Sequence, residues 1–170
     1  MVMAGKNLYE IILESLPEGD KYRSTWLEMI RCFSSIERVI LRRFAQEYNS
    51  SLTRYDVLTA LALNRKGLTM GELASLLMVT QGNITGIISR LEQDKLVLKK
   101  ASKIDRRIQS VKLSARGLRL WNKMHEDYDE VISTLLSGHS DAEIQSLVKS
   151  LKKTRIAVEK MSDSTDPDLT

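Results

Sequence analysis

Residues 69–113 read TMGELASLLMVTQGNITGIISRLEQDKLVLKKASKIDRRIQSVKL. Thr69 and Glu72 stand at the spacing of a capping box, in which hydroxyl and carboxylate each satisfy an orphan amide at a helix start. A short apolar run follows (Leu73, Ala74, Leu76, Leu77) and is interrupted at Val79–Asn83. Thr80 is placed to cap a second helix, whose Ile84, Ile87, Ile88 and Leu91 recur at three- and four-residue steps and predict a buried stripe. Its other face carries Gln81, Asn83, Thr85, Ser89 and Arg90. Val97–Ala101 and Ile108–Leu113 then alternate and are β-branched enough to predict a hairpin, with the basic tip Lys103-Ile104-Asp105-Arg106-Arg107 between them. Two helices across a tight turn followed by a basic hairpin describe a winged helix-turn-helix. In such a fold the second helix enters the major groove and the wing reaches along the backbone towards the minor groove.

The charge distribution agrees. Between Arg54 and Arg119 there are thirteen Lys/Arg against five Asp/Glu, while the rest of the chain has thirteen against seventeen. Positive charge is concentrated on the segment that would meet phosphates.

Glu72-Leu73-Ala74, Arg90-Leu91-Glu92, Leu96-Val97, Asp105-Arg106-Arg107 and Leu113-Ser114-Ala115-Arg116-Gly117 together resemble the MarR family of regulators, over roughly Trp26 to Val158. The Asp-x-Arg wing followed by Leu-Ser-x-x-Gly is the most specific part. The resemblance implies a triangular dimer on DNA. It also implies a minor-groove arginine at Arg107, and an effector such as a small aromatic carboxylate, a phenolic or an acyl thioester that releases DNA. Two departures stand out. Gly86 occupies a place where many relatives have a large basic side chain, and Lys95 one where they usually have glycine.

Working outward, residues 1–21 form an N-terminal arm whose Leu8, Ile11, Ile12 and Leu16 end at Pro17-Glu-Gly19. A piece that short is unstable alone, so it is either frayed or packed on a partner. A long helix is expected from Ser24, its cap, to Tyr48, with Trp26, Ile30, Phe33, Val39, Ile40, Phe44 and Tyr48 as its apolar side. Thr53 is expected to cap the next helix, and Gly67 to close it with a left-handed residue. After the wing, Ser114–Gly117 starts a helix running to about Ser137, with a seam of Leu118, Trp121, His125, Tyr128, Ile132 and Leu135. Gly138 breaks it, and Ser140–Glu143 opens a last helix with Ile144, Leu147, Leu151 and Val158. The tail 162–170 is acidic and apolar-poor, a composition of disorder. The expected architecture is mainly α with a small β-hairpin wing. Residues 53–113 form the winged helix-turn-helix, and 22–52 with 114–161 the N- and C-terminal dimerisation helices, since those helices leave more apolar surface than a small winged domain covers.

At 170 residues, 42% hydrophobic and 28% charged, the composition is that of one soluble domain. No apolar run reaches the about 18 residues of a membrane span, and no basic-then-apolar leader opens the chain. Cys32 is the single cysteine, which fits a reducing cytoplasm. No Cys/His cluster has metal-ligand spacing, no catalytic triad or phosphate-cradling glycine loop appears, and no cofactor or metal is expected.

The expected DNA contacts are Thr80, Gln81, Gly82, Asn83, Thr85, Gly86, Arg90, Lys103, Arg106 and Arg107. Gln81 and Asn83 suit adenine, and the threonines suit phosphate or a thymine methyl. Asp105 would orient the Arg107 guanidinium by a charge-assisted pair. An effector pocket is expected along Trp26, Met29, Ile30, Phe33, Leu58, Trp121 and His125. The partners are then double-stranded DNA carrying an inverted repeat, a second copy of the chain and a small effector. Two rival readings remain. One is a thiol sensor using Cys32, against which stands Cys32 as a buried structural residue. The other is an architectural DNA binder without sequence preference.

Overall fold

The computed structural model describes residues 8–15, 17, 19–101 and 109–164. Contacts divide the chain into a unit of residues 1–131 and a unit of residues 132–170. Their elements in order are α1 (Leu8–Glu14), α2 (Lys21–Tyr48), α3 (Leu52–Leu63), β1 (Leu68–Thr69), α4 (Met70–Leu76), α5 (Gln81–Gln93), β2 (Val97–Ala101), β3 (Gln109–Leu113), α6 (Ala115–Leu136) and α7 (Asp141–Ser164).

Several helix ends differ by a few residues from the sequence expectation, each for a capping reason. Asp20, not Ser24, caps α2: its carboxylate accepts from the Arg23 amide at 3.1 Å, and an anion at a helix start also gains from the helix dipole. Ser51, two residues ahead of Thr53, caps α3 by accepting from the Arg54 amide at 3.3 Å. Asn64, not Gly67, closes α3, its side-chain amide donating to the Ala60 carbonyl at 2.8 Å. Gly67, at φ 93°, instead turns the chain into β1, where a Cβ would lie 2.7 Å from Lys112 Cγ and 2.8 Å from the Val111 carbonyl oxygen.

Strand β1 is too short to show alternation and was not expected. It pairs with β3 (Leu68 with Val111, Thr69 with Ser110), giving a three-stranded antiparallel sheet of order β1-β3-β2. Thr69 thus ends a strand and also caps α4. Its backbone N–H donates to Glu72 Oε2 at 2.7 Å, and its Oγ1 accepts from the Glu72 amide at 3.2 Å, the expected reciprocal box. The Thr69 N–H, together with the Thr69 hydroxyl that donates to Glu72 Oε2 at 2.8 Å, holds the Glu72 carboxyl below the usual range.

Val57, Leu58, Leu73, Ile84, Ile88, Leu91, Val111 and Met124 are wholly removed from solvent. Ile87 is not: of the expected stripe on α5 it alone is half-exposed, because it points into a cleft lined also by the start of α3. On α2 burial is confined to Leu27, Ile40 and Phe44, while Trp26, Phe33 and Val39 are exposed. Contacts to α3 and α6 reach α2 near its C-terminal end, through Phe44 on Tyr55, Arg43 on Asp127 and Tyr48 on the Lys123 carbonyl. Among the apolar residues nearer its start Leu27 is buried, Met29 and Ile30 are half-buried, and Trp26 and Phe33 are exposed. Helix α1 lies beside α2, with Ile11 and Ile12 half-buried; Leu16 lies outside the described residues.

Helix α6 begins as expected at Ser114, whose hydroxyl accepts from the Gly117 amide at 2.9 Å and donates to the Lys95 carbonyl at 2.7 Å. Of the expected seam Trp121, His125, Tyr128 and Ile132 are half-buried, while Leu118 and Leu135 are exposed. Gly117 and Met124 are buried with Trp121 and Tyr128 half-buried, whereas Leu118 is exposed. The steps 117, 121, 124 and 128 define one helical face, one residue away from the position of Leu118.

In the second unit, Ser140 and Glu143 form another capping box at the start of α7. The helix continues through Ser164, three residues into the expected tail, and residues 165–170 lie outside the described residues. Leu147, Val148, Leu151, Ile156, Val158 and Met161 of α7 are all exposed.

Lys95 adopts φ 59°, the left-handed conformation that explains the glycine of relatives at this turn. A side chain there costs about 1–2 kcal/mol, partly offset by the entropy a glycine would lose. Lys95→Gly is expected to raise stability by about 1 kcal/mol, read from the urea midpoint; a lower midpoint would refute the strain.

Candidate nucleic-acid interface

The capping box starts α4, Met78 at φ 54° turns the chain, and Thr80 starts α5 by accepting from the Asn83 amide at 3.4 Å. Ile84, Ile88 and Leu91 then fix how α5 is rotated. Thr80, Gln81, Gly82, Asn83, Thr85, Gly86 and Arg90 consequently share its exposed side. The threonine hydroxyls are partly engaged: that of Thr80 caps the helix, and that of Thr85 donates to the Gln81 carbonyl at 2.9 Å. Both retain acceptor capacity. A Cβ added at Gly82 or Gly86 would meet nothing within 4 Å, so another backbone can approach this side closely.

Beside the helix runs an open cleft whose second wall is the start of α3, with Ser51, Thr53 and Arg54 facing Asn83, Gly86 and Arg90. Sequence reasoning missed these α3 residues. They lie some thirty positions from the recognition helix, and the only hint was that the basic segment begins at Arg54. At the far end of α5 two ion pairs hold the helix: Arg54 Nη2 on Asp94 Oδ2, and Lys99 Nζ on Glu92 Oε2 at 2.6 Å. The second ties β2 of the wing to the recognition helix. The wing-tip residues Lys103, Asp105, Arg106 and Arg107 lie outside the described residues.

The residues expected around an effector fall into two groups. Trp121 stacks on His125 with ring centroids 4.9 Å apart, and the pair meets α3: His125 Nδ1 lies 2.8 Å from the Tyr55 hydroxyl, and Trp121 Nε1 donates to Thr59 Oγ1 at 3.0 Å. Tyr55 also stacks on Tyr128, and burial pushes its phenol up from the ordinary value. Tyr55 and Thr59 were not foreseen, because they lie about seventy and sixty positions from their partners. Leu58 is wholly buried. On α2, Met29 and Ile30 are half-buried, while Trp26 and Phe33 stand 59% and 66% exposed. Cys32 is exposed in the single chain, against the expectation of a buried structural residue; it lies beside Phe33 on α2. Towards the C-terminal end of α2, the Arg43 guanidinium holds the Asp127 carboxyl below its usual range, and the Tyr48 phenol is pushed up to about 12, first by burial and then by Asp127.

Among the described residues no group of three His, Cys, Asp or Glu side chains could hold a metal ion, and no helix is long and apolar enough to cross a membrane.

This geometry has close counterparts. Residues 51–109 match the family model described as MarR family. The HTH-type transcriptional regulator MhqR of Bacillus subtilis (strain 168) is 30% identical over 77 residues, which are 45% of this chain and 53% of that protein, so the match spans about half of that curated relative. Streptococcus pneumoniae FabT, solved in complex with DNA, superposes with a TM-score of 0.73 over 82% of this chain and 99% of its own; at 18% identity the likeness is one of fold. A MarR family transcriptional regulator from Silicibacter pomeroyi is 31% identical, covers 81% of this chain and 92% of its own, and has a TM-score of 0.65. With the family model on the helix-turn-helix and this relative along most of both chains, the protein belongs to the MarR family of winged-helix transcriptional regulators.

Proposed function

We propose that the protein is a cytoplasmic, dimeric, sequence-specific DNA-binding repressor, released from its operator by a small aromatic, phenolic or acyl-thioester ligand. The observation that carries the DNA reading is the recognition helix. Three wholly buried residues hold it in one rotation, and its exposed side offers two amides, two hydroxyls and one cation. An architectural binder without sequence preference would be expected to present mainly Lys and Arg there. FabT, whose fold this chain shares, was solved with DNA.

The dimer is supported by apolar side chains exposed among the described residues: Leu147, Val148, Leu151 and Ile156 on α7, and Trp26 and Phe33 on α2. Patches of this kind mark association surfaces. Two recognition helices related by a two-fold axis would read half-sites about 10 bp apart. Wing contacts by Lys103, Arg106 and Arg107, with Asp105 orienting Arg107, belong to the same proposal. For the effector, the stacked Trp121 and His125 with Tyr55 and Thr59 supply aromatic faces and hydrogen-bonding groups, and Trp26, Met29, Ile30, Phe33 and Leu58 would complete an apolar lining.

Selecting bound duplexes from a random pool at physiological salt tests the reading. A palindrome with half-sites one turn apart is expected. No motif, with binding that fades as salt rises, would favour the architectural alternative. The exposed thiol of Cys32 leaves a redox-sensing variant of the same regulator as the second reading. Asn83→Ala is expected to cost roughly 1–3 kcal/mol of operator binding and to relax base preference at one position. Equal weakening on every sequence would mean that Asn83 reads no base.

A further inference from the structure

Arg54 belongs to the first turn of α3, outside the α4–α5 pair, yet it borders the cleft that runs along α5, the recognition helix. Arg90 and Asn83 stand on the other wall, and among the described residues no acidic side chain lines that cleft. In the free chain the Arg54 Nη2 is bound by Asp94, the residue that follows the last turn of α5. Its Nε is enclosed with no acceptor among the described residues. A guanidinium offers five N–H donors in a planar fork. Here one carboxylate oxygen takes a donor from Nη2 while the adjacent Nε–H is left unmet, which is costly for an enclosed donor. The complement of an Nε/Nη2 edge is an oxyanion with two oxygens in one plane, as in a phosphate diester. The Asp94 side chain is 47% exposed, so water screens the present pair and weakens its hold.

We propose that Arg54 is a DNA-backbone contact held in reserve by Asp94. When α5 docks, the strand passing along the cleft presents a phosphate that takes the guanidinium over from the carboxylate; released from Asp94, the side chain turns its enclosed Nε outward and offers Nε and Nη2 together. The inference rests on the DNA reading above. Duplex DNA is the occupant because Gly82, Asn83, Gly86 and Arg90 line both the cleft and the recognition face; whatever lies on that face extends into the cleft. Asp94 then acts as a competitor, neutralising Arg54 until a phosphate arrives. A mere strut between α3 and α5 would not behave in this way.

The two roles separate in the salt dependence of binding, measured with the full chain on mixed-sequence double-stranded DNA. Each phosphate contact contributes about one unit to the slope of log affinity against log salt. Arg54→Gln is expected to bind several-fold more weakly with the slope reduced by about one unit, and Arg54→Lys to keep most of the slope. Asp94→Asn is expected to bind more tightly than the unmodified chain, since the competitor is gone. An unchanged slope in Arg54→Gln, or weaker binding in Asp94→Asn, would overturn the proposal and leave the pair a brace. Should Arg54→Gln fail to fold, the sign of the Asp94→Asn effect decides alone. Absence of salt-dependent binding by the unmodified chain would overturn the DNA reading itself, and this inference with it.

Discussion

Gly117→Ala is expected to lower stability by about 3 kcal/mol, at the upper end of what overpacking costs. A Cβ built on Gly117 would lie 2.0 Å from the Leu96 carbonyl oxygen and 2.9 Å from its carbon, both main-chain atoms that no side-chain rotation can move. Nor is the approach free to widen. Ser114 bridges the same two segments through its amide on the Leu96 carbonyl at 2.9 Å and its hydroxyl on the Lys95 carbonyl. Helix propensity alone argues the opposite sign, since alanine is favoured over glycine within a helix by about 1 kcal/mol. Urea unfolding therefore discriminates cleanly. A midpoint equal to or above that of the unmodified chain would show that the start of α6 and the start of the wing are not in the contact described.

Ile88→Ala should cost about 2–5 kcal/mol, the range for emptying a wholly buried aliphatic site. The loss falls on the residue that, with Ile84 and Leu91, sets the rotation of α5, so DNA affinity is expected to fall as well at temperatures where the variant remains folded. Ile87 provides the internal comparison. It is half-exposed and faces the cleft, so Ile87→Ala should cost well under half as much. Equal losses at 87 and 88 would mean that the two faces of the helix are misassigned.

What could be read from the sequence divides along the range of the interactions. The helix-turn-helix was legible because its signals are local: Thr69 with Glu72, Thr80 with the amide three residues on, and isoleucines at helical spacing. The strands β2 and β3 were legible from alternation, which survives wherever one face of a hairpin is buried. Caps were misplaced where two candidates stood close together, as with Ser51 and Thr53, because either hydroxyl satisfies the local rule and tertiary packing chooses. Strand β1 was invisible, since two residues cannot alternate. On α2 the apolar pattern was right about chemistry and wrong about cover: Trp26 and Phe33 repeat at the correct steps, but nothing in their spacing says where the contacting helices end. The cleft wall at Arg54 and the Tyr55–His125 contact join residues far apart in the chain. They become visible only once α3 has been laid against α5 and α6.

Gly82 and Gly86 have a consequence for how this regulator could change. Most surface substitutions that alter what a protein binds are taken from a small reserve of stability. At these two positions the trade is reversed. Any side chain added there points into open space, and replacing glycine inside a helix gains up to about 1 kcal/mol. New base contacts at 82 and 86 would therefore strengthen the helix that carries them. On the DNA reading proposed above, a lineage, or an engineer, could rewrite operator preference here without first securing a more stable fold.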